Sequence, residues 1–377
     1  MYNIEGFVKE NTDMLFEIHK NLCIIPAPSH YEEKRAEFCL GWLECSGVAG
    51  AYIDEAKNVI FPINCEGSDE ITVIAAHTDT VFPFDVPLEY YDDGENIHCP
   101  GCADDTSGVA VLLLVAKYII ENDIKPEKGL MIVLNSGEEG LGNLYGTRHL
   151  FESFNARIKG FITIDSQINC IHDRCVASKR FEVEVKTNGG HSFGDFGKKN
   201  AIAELSGIIQ KIYSLKVPEK EGTKTTFNVG EISGGTSVNT IAQNAKMLCE
   251  FRSDDSECYR IMENEFDRIF KEAEKDDVEI NVNVVGERPC ADIDVSRIDA
   301  LADKVAGVIE KVIGEKLVRT SASTDCNIPL SLGVPAVCVG VCRYEGMHTK
   351  EECLEKKSLI TGLEVMIKTV LSLTEGE

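Results

Sequence analysis

The chain has 377 residues, of which 43% are hydrophobic, and its 63 acidic against 38 basic residues give a formal charge of -25. No basic stripe breaks that balance, so nucleic acid and anionic membrane are excluded as partners, since both demand clustered Lys and Arg against phosphate. No window approaches the roughly 20 apolar residues of a membrane span. The length predicts two domains, nested or in tandem. "MYNIEGFVKENTDMLFEIHK" lacks the basic and then apolar pattern of an export signal. The 15 cysteines are odd in number and scattered, which predicts reduced, buried thiols in a cytoplasmic protein.

In chain order, Ser29 and Glu32 have the spacing of a capping box, and Phe38, Leu40, Trp42 and Leu43 then predict a helix closed by Gly47. "ITVIAAHTDTV" is a short apolar run ending in polar residues, the signature of a buried strand delivering side chains to a loop. "SGVAVLLLVAKYIIEN" is apolar almost all round and predicts a buried helix. "GLMIVLNSGEEG" and "KGFITIDSQ" are further strands that end in acids, with the short helix "GTRHLFESF" between them. This alternation predicts an α/β layered fold with a mixed sheet, helices on both faces, and polar residues at the strand ends where ligands bind.

Near Lys179 the period changes to two. "RFEVEVKTN", a helix at "NAIAELSGIIQKIYSL", strands at "TKTTFNVGEIS" and "AKMLCEFRSD", a helix at "ECYRIMENEFDRIFKEAEKD" and a strand at "VEINVNVVG" follow in turn. The order β-α-β-β-α-β is that of an α+β ferredoxin-like sandwich, inserted over residues 180–286. "IDALADKVAGVIEKVIG", "VPAVCVGV" and "KKSLITGLEVMIKTVLSL" return to buried helix, strand and helix. Residues 1–179 and 287–377 thus form one domain around the insert.

His77 with Asp79, Asp104, Glu138 with Glu139, Asp165 and the distant His348 stand at ends of predicted elements. Two imidazoles and three carboxylates suit two borderline divalent ions sharing one carboxylate, zinc first among them. Any of these residues alone would read as an ordinary core histidine, cap or turn acid. The Glu138-Glu139 pair by itself would also fit an acidic first turn of a helix. Together they point to a dinuclear hydrolytic centre.

"AAHTDTV", "ADDTSG", "NSGEEGLGN", "ITIDS", "GGHSF", "GGTSVNTIA", "CEFR", "STDCNIPLSLGVPAV" and "GMHTKEE" occur in an order that resembles the dinuclear zinc peptidase and deacylase family. That family includes peptidase T, glutamate carboxypeptidase, succinyl-diaminopimelate desuccinylase and aminoacylases. The resemblance spans nearly the whole chain. It implies that His77 binds one Zn2+ and His348 the other, that Asp104 bridges them, and that Glu139 joins one ion and Asp165 the other, with Co2+ or Mn2+ as possible substitutes. It implies Glu138 as general base, Asp79 as the orienter of His77, and a cis peptide between Asp104 and Asp105. The insert becomes a lid and homodimerisation domain, with His191 reaching a partner's site as oxyanion donor and Asn239 and Arg252 contacting the substrate carboxylate. Thr106 departs from the many relatives that carry a lysine there.

The function implied is zinc-dependent hydrolysis of an amide bond in a small carboxylate-bearing substrate, first a di- or tripeptide in the manner of peptidase T. An N-acyl-amino-acid deacylase or a carboxypeptidase of the same family is the alternative. Arg343 and Tyr344 in "CRYEGMH" are expected to narrow the substrate pocket. Cys99 and Cys102 form a C-x-x-C pair, but no second pair completes a four-thiolate site and the context is not that of thioredoxin, so they read as passengers. A redox protein using that pair, or an inactive binding protein on a hydrolase scaffold, are the readings from other classes.

Overall fold

Apolar runs too short for helices build the centre of the larger unit. Four strands, Gly129–Asn135, Ile71–His77, Ile158–Ile164 and Ala336–Val339, are neighbours in that order and mutually parallel. Gly129–Asn135 and Ala336–Val339 are buried along their whole length, as strands covered on both faces must be. Because the four run the same way, His77, Asn135, Ile164 and Val339 all end at one edge of the sheet. The structure, a computed structural model, describes residues 3–374.

Val59–Ile63 extends this sheet antiparallel on one side, and Tyr52–Ile53 closes that edge. On the other side Cys170–Cys175 pairs antiparallel with Ala336–Val339, and Val318–Ala322 follows parallel. The sheet is therefore mixed and eight-stranded, as the α/β reading expects. Helix Thr106–Glu121 is buried along nearly its entire length against the sheet, the reason its sequence is apolar all round. Helices Val295–Ile313 and Lys356–Thr374 bury one face each. A second small sheet joins Tyr91–Asp92, Asn96–His98, Cys353–Glu355 and Tyr344–Glu345, with His98 opposite Cys353. It ties the approach to Asp104 to the chain around His348.

The helix expected after residue 29 spans Glu33–Cys45, and Gly47 with φ 82° closes it as predicted. The capping box does not form. Glu32 stands at the N-cap with no side-chain cap bond, and the two side chains are engaged elsewhere.

The chain divides into Met1–Cys175 with Ala291–Glu377, and Val176–Cys290. The second unit is a four-stranded antiparallel sheet in the order Thr225–Gly234, Asn244–Ser253, Ala177–Thr187, Val278–Arg288. Helices Ala201–Tyr213 and Ser256–Ala273 bury their apolar faces in its own core, where Phe181, Phe251 and Phe266 meet with ring centroids 5.1 to 6.1 Å apart. The element order is the ferredoxin-like one. The unit's first and last strands, Ala177–Thr187 and Val278–Arg288, are neighbours that pair out to Ser178 opposite Arg288.

Candidate metal centre

The parallel strands release their last residues at one edge, and the side chains read from the sequence converge there. His77 ends its strand fully buried, with Nε2 2.9 Å from Asp104 Oδ1 and Nδ1 3.1 Å from the Asp79 carbonyl oxygen. Asp104 precedes helix Thr106–Glu121, whose first turn is capped by Asp105 through the Gly108 N–H. The Asp104-Asp105 peptide is cis. The second oxygen of Asp104 lies 2.8 Å from His348 Nε2, and that nitrogen is 3.1 Å from Glu139 Oε1. His348 holds φ 64° in its turn, a left-handed conformation uncommon outside glycine and frequent at functional sites. Ligand atoms of His77, Asp104 and Glu139 lie within 4.8 Å of one another, and so do those of His77, Glu138 and Asp165.

Asp79 does more than face an imidazole. Oδ1 accepts from the Glu138 N–H at 2.9 Å, and Oδ2 accepts from the Glu139 N–H at 2.9 Å and from Ser29 Oγ at 2.7 Å. One buried carboxylate thereby holds the turn that carries both glutamates against the strand that carries His77. Glu32 grips the same turn one residue earlier, with Oε1 accepting from the N–H of Gly137 at 3.1 Å and of His30 at 2.7 Å. These bonds displace the expected capping box: two polar side chains that a local reading assigns to a helix end serve the centre instead.

Arg35, 1% exposed, donates to the carbonyls of Ile25 at 3.0 Å and Thr78 at 3.1 Å and to Thr106 Oγ1 at 3.2 Å. Thr106 in turn donates to the Gly101 carbonyl at 2.6 Å. A cation thus reaches the position where the sequence lacks a lysine, supplied from another helix. Glu32, Arg35, Glu352 and Asp325 are absent from the sequence-based set. Asp325 accepts from Asn135 Nδ2 at 2.7 Å and Thr147 Oγ1 at 2.6 Å beneath the strand ends. Asp325 and Glu352 stand inside quoted motifs, whereas Glu32 and Arg35 stand in the charged run "YEEKRAEF", which reads locally as a helix start.

The electrostatics are those of carboxylates crowded in a dry place. Burial, reinforced by the charge of Asp104, pushes Glu139 up to about 8, and burial with Asp104 and Glu138 raises Asp165 well above the usual range. Burial and the nearby Glu138 bring Asp325 to about 6. Asp104 moves the other way: burial opposes ionisation, but hydrogen bonds from His348 and His77 overcome it and lower its pKa. Burial would likewise lower His77, yet bonds to Asp104 and Asp79 raise it, and bonds to Asp104 and Glu139 lift His348 to about 10. Buried acids this close to one another ask for positive charge. A nitrogen-and-oxygen donor set of this size and spacing fits borderline divalent cations, so the residues present fit a metal centre.

The remaining expected residues belong to the smaller unit. His191 is exposed on a short ribbon opposite Thr240, its Nδ1 accepting from the N–H of Phe193 and Gly194, both at 3.2 Å. Asn239 lies on the same ribbon, with its carbonyl accepting from Ser192 N–H at 3.0 Å. The Arg252 fork is closed on Glu250, at 2.8 and 3.2 Å.

Cys99 and Cys102 are buried, and among the described residues every cysteine is outside a disulfide. Burial and then the charge of Glu352 raise the Cys102 pKa far above that of a reactive thiol. Arg343 is paired with Glu315 and lines, with Tyr344, a cavity of about 1110 Å³ whose walls include none of the five expected ligands. A smaller recess of about 260 Å³ does include Glu139 and Ser29. Among the described residues, no helix is long and apolar enough to cross a membrane.

A parallel-centred mixed sheet with His77, Asp104, Glu138 and Glu139 buried at its carboxyl edge, and the half-exposed His348 turned onto Asp104, has the donor set of a metal-binding protein. The model of peptidase family M20/M25/M40 matches residues 73–372, and the chain belongs to that family. A peptidase M20 domain-containing protein of Schizosaccharomyces pombe is 28% identical over 265 residues, covering 68% of this chain and 64% of that one, just under two thirds of its length. A Staphylococcus aureus tripeptidase superposes with a TM-score of 0.77 at 20% identity, over 97% of this chain and 99% of the other. The YXEP protein of Bacillus subtilis, a dinuclear metal binding peptidase, gives 0.66 at 16% identity over 97% and 100%.

Proposed function

We propose that this protein is a zinc-dependent peptidase that hydrolyses an amide bond in a small carboxylate-bearing substrate, first a di- or tripeptide. The observation that carries the reading is Asp104, whose two oxygens face two different imidazoles at 2.9 and 2.8 Å. In this reading His77 and Asp165 hold one Zn2+, His348 and Glu139 the other, and Asp104 both; Co2+ or Mn2+ would fit the same donors. When bound, the two ions supply Lewis acidity toward the scissile carbonyl and ease the ionisation of water.

The chain's own residues do the rest. Glu138, with a ligand atom within 4.8 Å of those of His77 and Asp165, takes the proton of the attacking water and passes it to the leaving amine. Asp79 keeps Glu138 and Glu139 pointing to their separate tasks by fixing both of their amides. The Asp79 carbonyl accepts from His77 Nδ1, which leaves Nε2 as the ligand nitrogen. From the smaller unit, His191 donates to the oxyanion of a partner subunit's substrate, while Asn239 and Arg252 bind the substrate carboxylate. Arg252 does so only when Glu250 yields its fork. We assign the Val176–Cys290 unit the roles of lid and homodimer interface. Phe193, Phe196 and Val238, 88, 91 and 102% exposed, support an apolar contact on it. The cytoplasm is the setting proposed for a chain with this cysteine usage.

The test is hydrolysis of dipeptides, tripeptides and N-acyl amino acids by the zinc-reconstituted protein, run beside Glu138→Ala. Cleavage of tripeptides with free but not blocked N-termini, lost in the variant, is the expected result. Turnover of N-acyl amino acids alone would replace the peptidase with a deacylase on the same centre. Full activity of Glu138→Ala would remove the base.

A further inference from the structure

We propose that Glu352 is a positioning residue for Asp104, locking the Asp104 loop and the His348 turn into one register; the proposal rests on the metal-centre reading above. The Glu352 side chain is fully buried. Its Oε1 accepts from the N–H of Ala103 at 2.8 Å and of Asp104 itself at 3.2 Å, and its Oε2 accepts from the N–H of Gly101 at 2.9 Å. The amides of Gly101, Ala103 and Asp104 thus close around a single carboxylate, the arrangement of a backbone anion nest, while the Cys102 N–H turns to the Cys99 carbonyl.

Glu352 is also fixed by its own main chain. Its N–H donates to the Thr349 carbonyl at 3.3 Å and its carbonyl accepts from Cys99 N–H at 3.2 Å, while the next residue pairs with His98. The turn that presents His348 Nε2 to Asp104 Oδ2 at 2.8 Å therefore also grips the amide of Asp104. Two candidate ligands that lie far apart in the chain are thus held by one residue, Asp104 through the Glu352 side chain and the His348 turn through the Glu352 main chain. Both oxygens must accept for this to work. An amide side chain would turn an NH2 group toward at least one N–H, so the nest requires a carboxylate.

Metal-free wild type, Glu352→Gln and Glu352→Asp are titrated with Zn2+ by calorimetry. Hydrogen exchange is followed over residues 101–104, and kcat and KM are measured on the best peptide. For a folded Glu352→Gln, zinc affinity and kcat are expected to fall about 10- to 100-fold, the usual effect of losing a ligand's outer partner, with KM little changed. Exchange at 101–104 quickens, and Glu352→Asp recovers part of each loss. If the Gln variant does not fold, the Asp variant carries the same comparison. Wild-type zinc affinity and kcat in a folded variant would overturn the proposal, and so would faster exchange with unchanged affinity, which marks a role in the fold alone. Failure of the wild type itself to bind Zn2+ would bring down the metal reading and this proposal with it, a result separable because no variant is then needed to see it.

Discussion

Both oxygens of Asp79 are committed to the amides of Glu138 and Glu139. Asp79→Asn keeps the volume but sets an NH2 group against an N–H, and the expected outcome is a kcat 10- to 100-fold lower, on the order seen for outer partners of metal sites, with KM nearly constant in steady-state assays. An unchanged kcat would show that the glutamate turn holds itself. His19 allows a cleaner electrostatic prediction. Its Nε2–H donates to the Cys102 carbonyl at 2.7 Å, and burial pushes its pKa down to about 4 from an ordinary 6.5. The folded state refuses a proton that the unfolded state accepts, so this residue's share of stability is lost as pH falls from 6.5 toward 4 and is intact above that window. Between pH 7 and 5 the wild type should lose about 2 kcal/mol more than His19→Gln in urea unfolding, since the glutamine can donate to the same carbonyl without titrating. Parallel pH profiles would assign the acid sensitivity to other groups.

Among whole elements, two helical glycines predict opposite outcomes for one substitution. A Cβ on Gly362, in helix Lys356–Thr374, would lie 2.0 Å from the Val341 carbonyl oxygen, whereas one on Gly307, in helix Val295–Ile313, would meet nothing within 4 Å. Gly362→Ala should destabilise by about 1–3 kcal/mol through overpacking, and Gly307→Ala should stabilise by about 0.5–1 kcal/mol through backbone entropy, both measured by denaturant titration. A stabilising Gly362→Ala would mean the helix can move away freely. The central strands were legible in the sequence because burial on two faces demands uninterrupted apolar runs such as "ITVIAAH" and "GLMIVLN". Cys170–Cys175 and Val318–Ala322 were not, since they are short, alternate polar residues and gain their place only by pairing with each other and with Ala336–Val339. The ligand candidates were legible because they end strands or stand in motifs. The role of Glu352 was not, although it ends the run "GMHTKEE", since its partner Ala103 lies 249 residues away and local pattern does not name the amides it meets. Ser29 and Glu32 were misassigned for the same reason: a local rule proposed a helix cap, and long-range acceptors won.

At the scale of the molecule, each unit has its own core, and every expected metal ligand belongs to the larger one. Calorimetry should resolve two transitions. Chelation should lower the temperature of one and leave the other unmoved, because a cation bound only to the native larger unit stabilises it by about 4 kcal/mol at a thousandfold excess over Kd. A single transition shifted as a whole would show the units to be thermodynamically fused. The insert also bears on how the chain folds. Its first and last strands are antiparallel neighbours, with Ser178 opposite Arg288, so once the insert has formed, its entry and exit are side by side. Before that, joining the Cys170–Cys175 strand to Val318–Ala322 means closing an open loop over residues 176–317; afterwards the open chain is Val176 and residues 289–317, which include helix Val295–Ile313, and the closure entropy falls. The kinetic consequence is an order of events: the insert collapses first and acts as a clasp, and variants that slow its folding, such as truncation of Phe266, should delay the appearance of metal binding during refolding even though no residue of the centre has been touched.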